Sequence, residues 1–239
     1  MPDGRVRGRR AGAGARTVAG MTRLTASDGH ELDAYEVHPD GATASVVIVQ
    51  EIFGVNAHIR SVVDRYASFG YRAIAPALFD RGQRGVELGY DDEGKALGIE
   101  LVMPIAFDAA MLDVGAAVEH VADTGPVGLV GYCFGGSVAW LAAADLPVAA
   151  AVGYYGGQVP AMVDRHPNAP VMLHFGELDA GIPLDGVEAV RSAHPEVPVH
   201  VYPGADHGFN CDARDSYDAR SAAIALGRTL EFFADHGVV

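Results

Sequence analysis

Lysine is almost absent from this chain: Lys95 is the only one among 17 basic residues, set against 31 acidic ones, for a formal net charge of −14. Binding to a phosphate backbone needs clustered Lys and Arg, so the composition excludes a nucleic-acid partner, and an anionic substrate has to be held by a few placed arginines. Cysteine is nearly as scarce. Cys133 and Cys211 are too few for a disulfide framework, and with no secretory pattern the expectation is a cytoplasmic protein with both thiols free. No apolar run approaches the roughly 18 residues of a membrane span, so a soluble protein without a membrane partner is expected. Close metal-ligand spacings are missing too: the ten His include no H-E-x-x-H, the two Cys are distant, and no P-loop or G-x-G-x-x-G fingerprint stands where it should. The expectation is no metal and no cofactor.

What is present is unevenly spread. Met1 to Gly20 holds five arginines and one Asp among Gly and Ala, leaving 12 basic and 30 acidic residues, a net of −18, for the rest. That stretch has neither strand nor helix periodicity and no apolar core of a signal, so residues 1–20 read as a disordered extension and 21–239 as a single domain. The domain reading opens with LTASDGHELDAYEV, alternating on both sides of Asp28-Gly29 as a β-hairpin does. SVVIVQ (Ser45 to Gln50), YRAIAPAL, VGLVGY, VAAAVGYY, VMLHFG and VPVHVY are short apolar runs suited to buried strands. Helical patterns lie between them, at about Ala57 to Phe69 with Asn56 as N-cap, from Pro104 to Asp123, after Cys133, near Gly186 to Ala193, and from about Tyr217 to His236. Asp80 to Gly98 is Gly-rich and charged and reads as a long loop. Alternating strands and helices predict an α/β fold with a mostly parallel central sheet covered on both faces, and active-site groups at the carboxyl ends of the strands.

Three of those ends carry reactive side chains. Gly131-Tyr132-Cys133-Phe134-Gly135 has the G-x-nucleophile-x-G spacing of a nucleophile elbow, which sets the sulfur beside the unpaired N–H groups of a helix N-terminus. Such surroundings favour thiolate. Asp179 follows VMLHFG, and His207 follows VPVHVY. Each alone has a bland reading: a buried cysteine in a Gly-rich turn, a helix-capping or loop carboxylate, a surface histidine. Together they stand in the α/β-hydrolase order of nucleophile, acid and histidine, which points to a triad of Cys133, His207 and Asp179.

These residues sit within a larger set of motifs. QEIFGVN (Gln50 to Asn56), ALFDR (Ala77 to Arg81), GYCFGG (Gly131 to Gly136), GELDAGIP (Gly176 to Pro183) and GADHGFN (Gly204 to Asn210), in this order, resemble the dienelactone hydrolases, or carboxymethylenebutenolidase-like proteins. The resemblance implies an α/β-hydrolase fold and hydrolysis of a lactone or activated ester. It also implies that Glu51 faces the thiol and keeps it protonated at rest, until a substrate carboxylate recruits an arginine and redirects the Glu; Arg81 matches one such arginine. One departure stands out: the family's second carboxylate-binding arginine, four residues after the histidine, is Cys211 here, and Arg214 lies three residues further on. The residue after the histidine is Gly208, where that subgroup has a hydroxyl side chain.

The expected chemistry is attack by Cys133 on the carbonyl of a small anionic lactone or enol ester, with the oxyanion held by the backbone N–H groups of Phe134 and Ile52. The expected assembly is a monomer or small homo-oligomer. Two alternatives remain at this point: a broader carboxylesterase or thioesterase on neutral substrates, and a non-catalytic small-molecule receptor or thiol sensor on the same fold.

Overall fold

The structure, a computed structural model, describes residues 17–239. The chain opens with an antiparallel pair, β1 (Thr17–Thr25) and β2 (Glu31–Pro39), joined through Asp28 and Gly29 as the alternation predicts. β1 begins at Thr17, opposite Pro39, so Thr17–Gly20 belong to the first strand and not to the extension. Backbone pairing with β2 supplies what the side-chain composition of that segment lacks. Residues 1–16, on which the rest of the extension reading falls, lie outside the described residues.

β3 (Ser45–Val49) leads into α1 (Ala57–Ser68), which Asn56 caps by accepting a hydrogen bond from the Ile59 N–H at 3.1 Å. β4 (Arg72–Pro76) is followed by a 3₁₀ turn, Leu78–Arg81. Beyond it the structure differs from the predicted loop: α2 (Asp92–Val102) forms there, capped by Asp91, whose carboxylate accepts from the Gly94 N–H at 2.7 Å. Asp92 and Glu93 in its first turn suit the positive end of the helix dipole, a start signal that the glycines around it obscure. α3 (Phe107–Val121) starts three residues after Pro104, so this proline ends the α2 segment instead of opening α3; it has no N–H with which to continue a helix.

The remaining elements follow the predicted alternation: β5 (Val127–Tyr132), α4 (Phe134–Asp145), β6 (Ala150–Tyr154), β7 (Val171–Gly176), α5 (Leu184–Ala193), β8 (Val199–Tyr202) and α6 (Ala219–Asp235), the last capped by Asp218. The sheet order is β1-β2-β4-β3-β5-β6-β7-β8; β1 and β2 are the antiparallel members, and every pair from β4 to β8 is parallel. All residues of β3, β4, β5, β6 and β7 are buried, as strands covered on both faces must be. Their Val, Ile and Leu side chains each stabilise the core by about 1.5–3 kcal/mol on leaving water. No single helix among the described residues is long and apolar enough to cross a membrane.

The parallel strands point their carboxyl ends one way. The Gln50 side chain fixes the exit of β3 by accepting from the Leu78 N–H at 3.1 Å. That bond aligns the segments after β3 and β4 on the edge where the reactive residues emerge.

Candidate active site

The turn from β5 into α4 places Cys133 at φ 55°, ψ −112°, a left-handed conformation that a side-chain-bearing residue adopts at a cost of about 1–3 kcal/mol. The flanking glycines permit it. A Cβ on Gly131 would lie 1.8 Å from the Gly135 carbonyl oxygen, and one on Gly135 would lie 2.3 Å from the Val49 carbonyl oxygen. Hydrogen bonds from the Cys133 N–H to the Tyr154 carbonyl (3.0 Å) and from the Gly135 N–H to the Gln50 carbonyl (3.1 Å) clamp the turn between β6 and the end of β3.

Two later strands complete the arrangement. Asp179, in the turn after β7, is buried and lies 2.7 Å from Nδ1 of His207, which follows β8; His207 Nε2 lies 3.2 Å from the Cys133 Sγ. A carboxylate only accepts, so Nδ1 carries the hydrogen and Nε2 is left to exchange a proton with sulfur. The Gly181 N–H donates to the other Asp179 oxygen at 2.9 Å and fixes its orientation. Burial works against charge on His207, but the hydrogen bonds to Asp179 and Cys133, and the charges of both, outweigh it and raise the pKa from 6.5 to about 10.

A folded-state pKa above the unfolded one contributes stability that is fully present below about pH 6.5 and is lost as pH rises through about 10. Thermal melts from pH 6.5 to 10 should therefore show wild type losing more stability than His207→Ala over the same interval. Parallel melting curves for the two proteins would contradict this linkage.

The Phe134 and Ile52 N–H groups, expected to hold an oxyanion, donate to no acceptor among the described residues. Both residues line the space at the nucleophile. Two clefts meet at Cys133, His207 and Ile52. One, of about 390 Å³, is walled by Phe53, Lys95, Asp179 and Arg214; the other, of about 520 Å³, is walled by Val102, Met103, Ile105, Phe107 and Phe134, the last two rings stacked at 5.3 Å.

Glu51 is fully buried at the end of β3, but its hydrogen bond is not to the thiol. The Tyr90 hydroxyl donates to Glu51 Oε2 at 2.9 Å, and Arg214 Nη1 stands 3.7 Å from Oε1. Arg214 also lies over the Phe53 and Tyr90 rings, with its guanidinium carbon 5.9 Å from each centroid. Arg214 thus reaches the cleft at Cys133. Cys211 is buried below it, and burial together with the Glu51 charge pushes its thiol up to about 12.

Arg81 is placed elsewhere. Its guanidinium makes two hydrogen bonds of 2.8 Å to the buried Asp113 carboxylate and a third of 2.8 Å to Asp28, and it lines a separate depression with His30 and Pro104. Three of its five N–H donors are engaged by these two carboxylates, and it lines neither cleft at Cys133. Lys95 takes the opposite course. It stands on α2 in the cleft that Arg214 also lines and forms no ion pair among the described residues. Lys95 and Tyr90 both lie in the stretch Asp80–Gly98, whose glycines read as a loop, so the sequence alone assigns neither of them a place at the cleft.

A mostly parallel sheet that delivers a strained cysteine from β5, a carboxylate from β7 and a histidine from β8 to one cleft defines the α/β-hydrolase class. Comparison with known proteins narrows the class. The model of the dienelactone hydrolase family matches residues 32–237. A Yersinia pestis protein assigned as a carboxymethylenebutenolidase is 37% identical over 89% of this chain and 86% of its own length. The carboxymethylenebutenolidase of Pseudomonas putida is 35% identical over 87% of this chain and 92% of its own. A crystal structure from Klebsiella pneumoniae subsp. pneumoniae, assigned as a dienelactone hydrolase, superposes with a TM-score of 0.77 at 33% identity, covering 92% of this chain and 99% of that one. The chain belongs to the dienelactone hydrolase family and is a hydrolase.

Proposed function

We propose that the protein hydrolyses small anionic lactones or activated enol esters through a thioester on Cys133. The alignment of Cys133 Sγ, His207 and Asp179 at 3.2 and 2.7 Å carries the reading. Cys133 thiolate attacks the carbonyl carbon, and the carbonyl oxygen becomes an oxyanion received by the Phe134 and Ile52 N–H groups. Collapse breaks the bond to the enolate oxygen, which takes its proton from the His207 imidazolium, and leaves a thioester. His207 then removes a proton from water, the resulting hydroxide adds to the thioester carbon, and Cys133 departs with the product carboxylic acid released. An enolate leaves more readily than thiolate and an alkoxide less readily, so activated esters suit a sulfur nucleophile.

The two clefts support the substrate class. A carbonyl at Cys133 has an apolar slot on one side, and Arg214 and Lys95 on the other. Arg214 takes the part that the resemblance gave to Arg81, the arginine shared between Glu51 and a substrate carboxylate.

The apolar slot favours one alternative, a broader esterase of neutral substrates. Paired anionic and neutral enol esters separate the two. Arg214→Ala should lower kcat/KM for the anionic ester by roughly ten- to a hundredfold, as expected for a hydrogen bond to a charged group, and leave the neutral one within about twofold. The exposed Lys95 should give the same selectivity with a smaller loss of about two- to fivefold. Equal losses on both esters would remove the anionic-substrate reading.

A further inference from the structure

We propose that Glu51, His58 and Cys211 form a binding site for a divalent cation of zinc type, built beside the hydrolase cleft and sharing Glu51 with the reading above. The three residues come from the end of β3, the first turn of α1 and the loop before α6, and their donor atoms lie within 4.8 Å of one another. Glu51 and Cys211 are fully buried, and His58 is 5% exposed. Glu51 Oε1 and His58 Nε2 are both buried without a hydrogen-bond partner among the described residues. Leaving one such atom unsatisfied costs about 1–3 kcal/mol, so two of them facing one gap beside a sulfur call for a common occupant.

The surrounding bonds orient these atoms as a metal site requires. His58 Nδ1 lies 3.0 Å from Asp212 Oδ1; the carboxylate can only accept, so Nδ1 carries the hydrogen and the Nε2 lone pair faces the gap. A carboxylate behind a histidine is the arrangement that fixes tautomer and ring direction in metal sites. The Tyr90 hydroxyl holds the other Glu51 oxygen and turns Oε1 inward. Arg214 is the cation that faces the group; at 3.7 Å from Oε1 it is too far to use that oxygen's lone pair, and a thiolate and a carboxylate together balance a doubly charged ion.

One nitrogen, one oxygen and one sulfur suit Zn²⁺ or Co²⁺; Mg²⁺ and Ca²⁺ prefer all-oxygen shells. Contacts of about 2.0–2.3 Å need shifts of roughly half an ångström per side chain, and a fourth position stays open for water.

The test uses the full chain carrying Cys133→Ala, in which Cys211 is the remaining thiol and no nucleophile is present, so that the result does not depend on hydrolysis. Titration with Co²⁺ should saturate at one equivalent, with a thiolate-to-cobalt charge-transfer band in the near ultraviolet that Zn²⁺ abolishes by displacement. Adding Cys211→Ser should remove the band, and Asp212→Ala should weaken affinity by about 10–100-fold. Absence of the band in the Cys133→Ala protein, the outcome if the gap holds only water, overturns the site without need of a further variant. A band that survives Cys211→Ser overturns it equally.

Discussion

Replacing Cys133 by Ala should lower kcat/KM for 4-nitrophenyl acetate and for a dienelactone by on the order of 10⁴-fold or more, since loss of the nucleophile leaves only the oxyanion site and binding to act. Cys133→Ser should recover little. A hydroxyl is far less acidic than a thiol, and the space around Sγ, with His207 Nε2 at 3.2 Å, is set for the longer C–S bond. Because Cys133 sits at φ 55° between Gly131 and Gly135, either variant keeps the same strained turn, so near-wild-type melting temperatures should accompany the loss. Turnover undiminished in Cys133→Ala would end the cysteine-hydrolase reading, whereas a receptor or thiol sensor on this fold would bind ligand or react with peroxide without turnover in the wild type.

The second large effect falls on stability. Arg81→Ala should destabilise the protein by about 3–5 kcal/mol, because it strips the buried Asp113 carboxylate of a two-bonded partner. Burial already raises the Asp113 pKa against the opposing effect of Arg81, and without the arginine that carboxylate has to be protonated or wetted. For a chain of this length the melting temperature should drop by roughly 6–20 °C. The ratio of anionic to neutral ester activity should stay as in wild type. Arg81→Met combined with Asp113→Leu should regain much of the loss, since two apolar side chains leave no buried charge. A selective rise in KM for anionic esters at unchanged melting temperature would instead return Arg81 to the substrate site.

The two arginines show how far the residues could be read in order. The succession of strands was legible from short apolar runs, and Cys133, Asp179 and His207 stood out as candidates because each lies within a few residues after one of them. The approach of Gly131 to Gly135 is likewise local, whereas Gly135 also packs against the Val49 carbonyl on a separate strand. α2 was hidden: its Asp91 cap and acidic first turn lie in a stretch whose glycines suit a loop, and with it went the places of Tyr90 and Lys95. The motif at Ala77 to Arg81 was recognisable, yet the partners that occupy Arg81, Asp28 and Asp113, lie 53 and 32 residues away along the chain.

The sequence alone determined the alternation of elements, the glycine spacing that permits a sharp turn at Cys133 and the residues that follow successive strands, since these depend on backbone period and on neighbours along the chain. Only the tertiary structure decided which charges pair. It committed Arg81 to the core-facing Asp113, set Lys95 in the cleft, brought Arg214 toward Glu51, and gathered Glu51, His58 and Cys211 around one gap. A charge takes whichever opposite charge or lone pair the packed elements place within a few ångströms of it, and no local pattern in the chain records that distance.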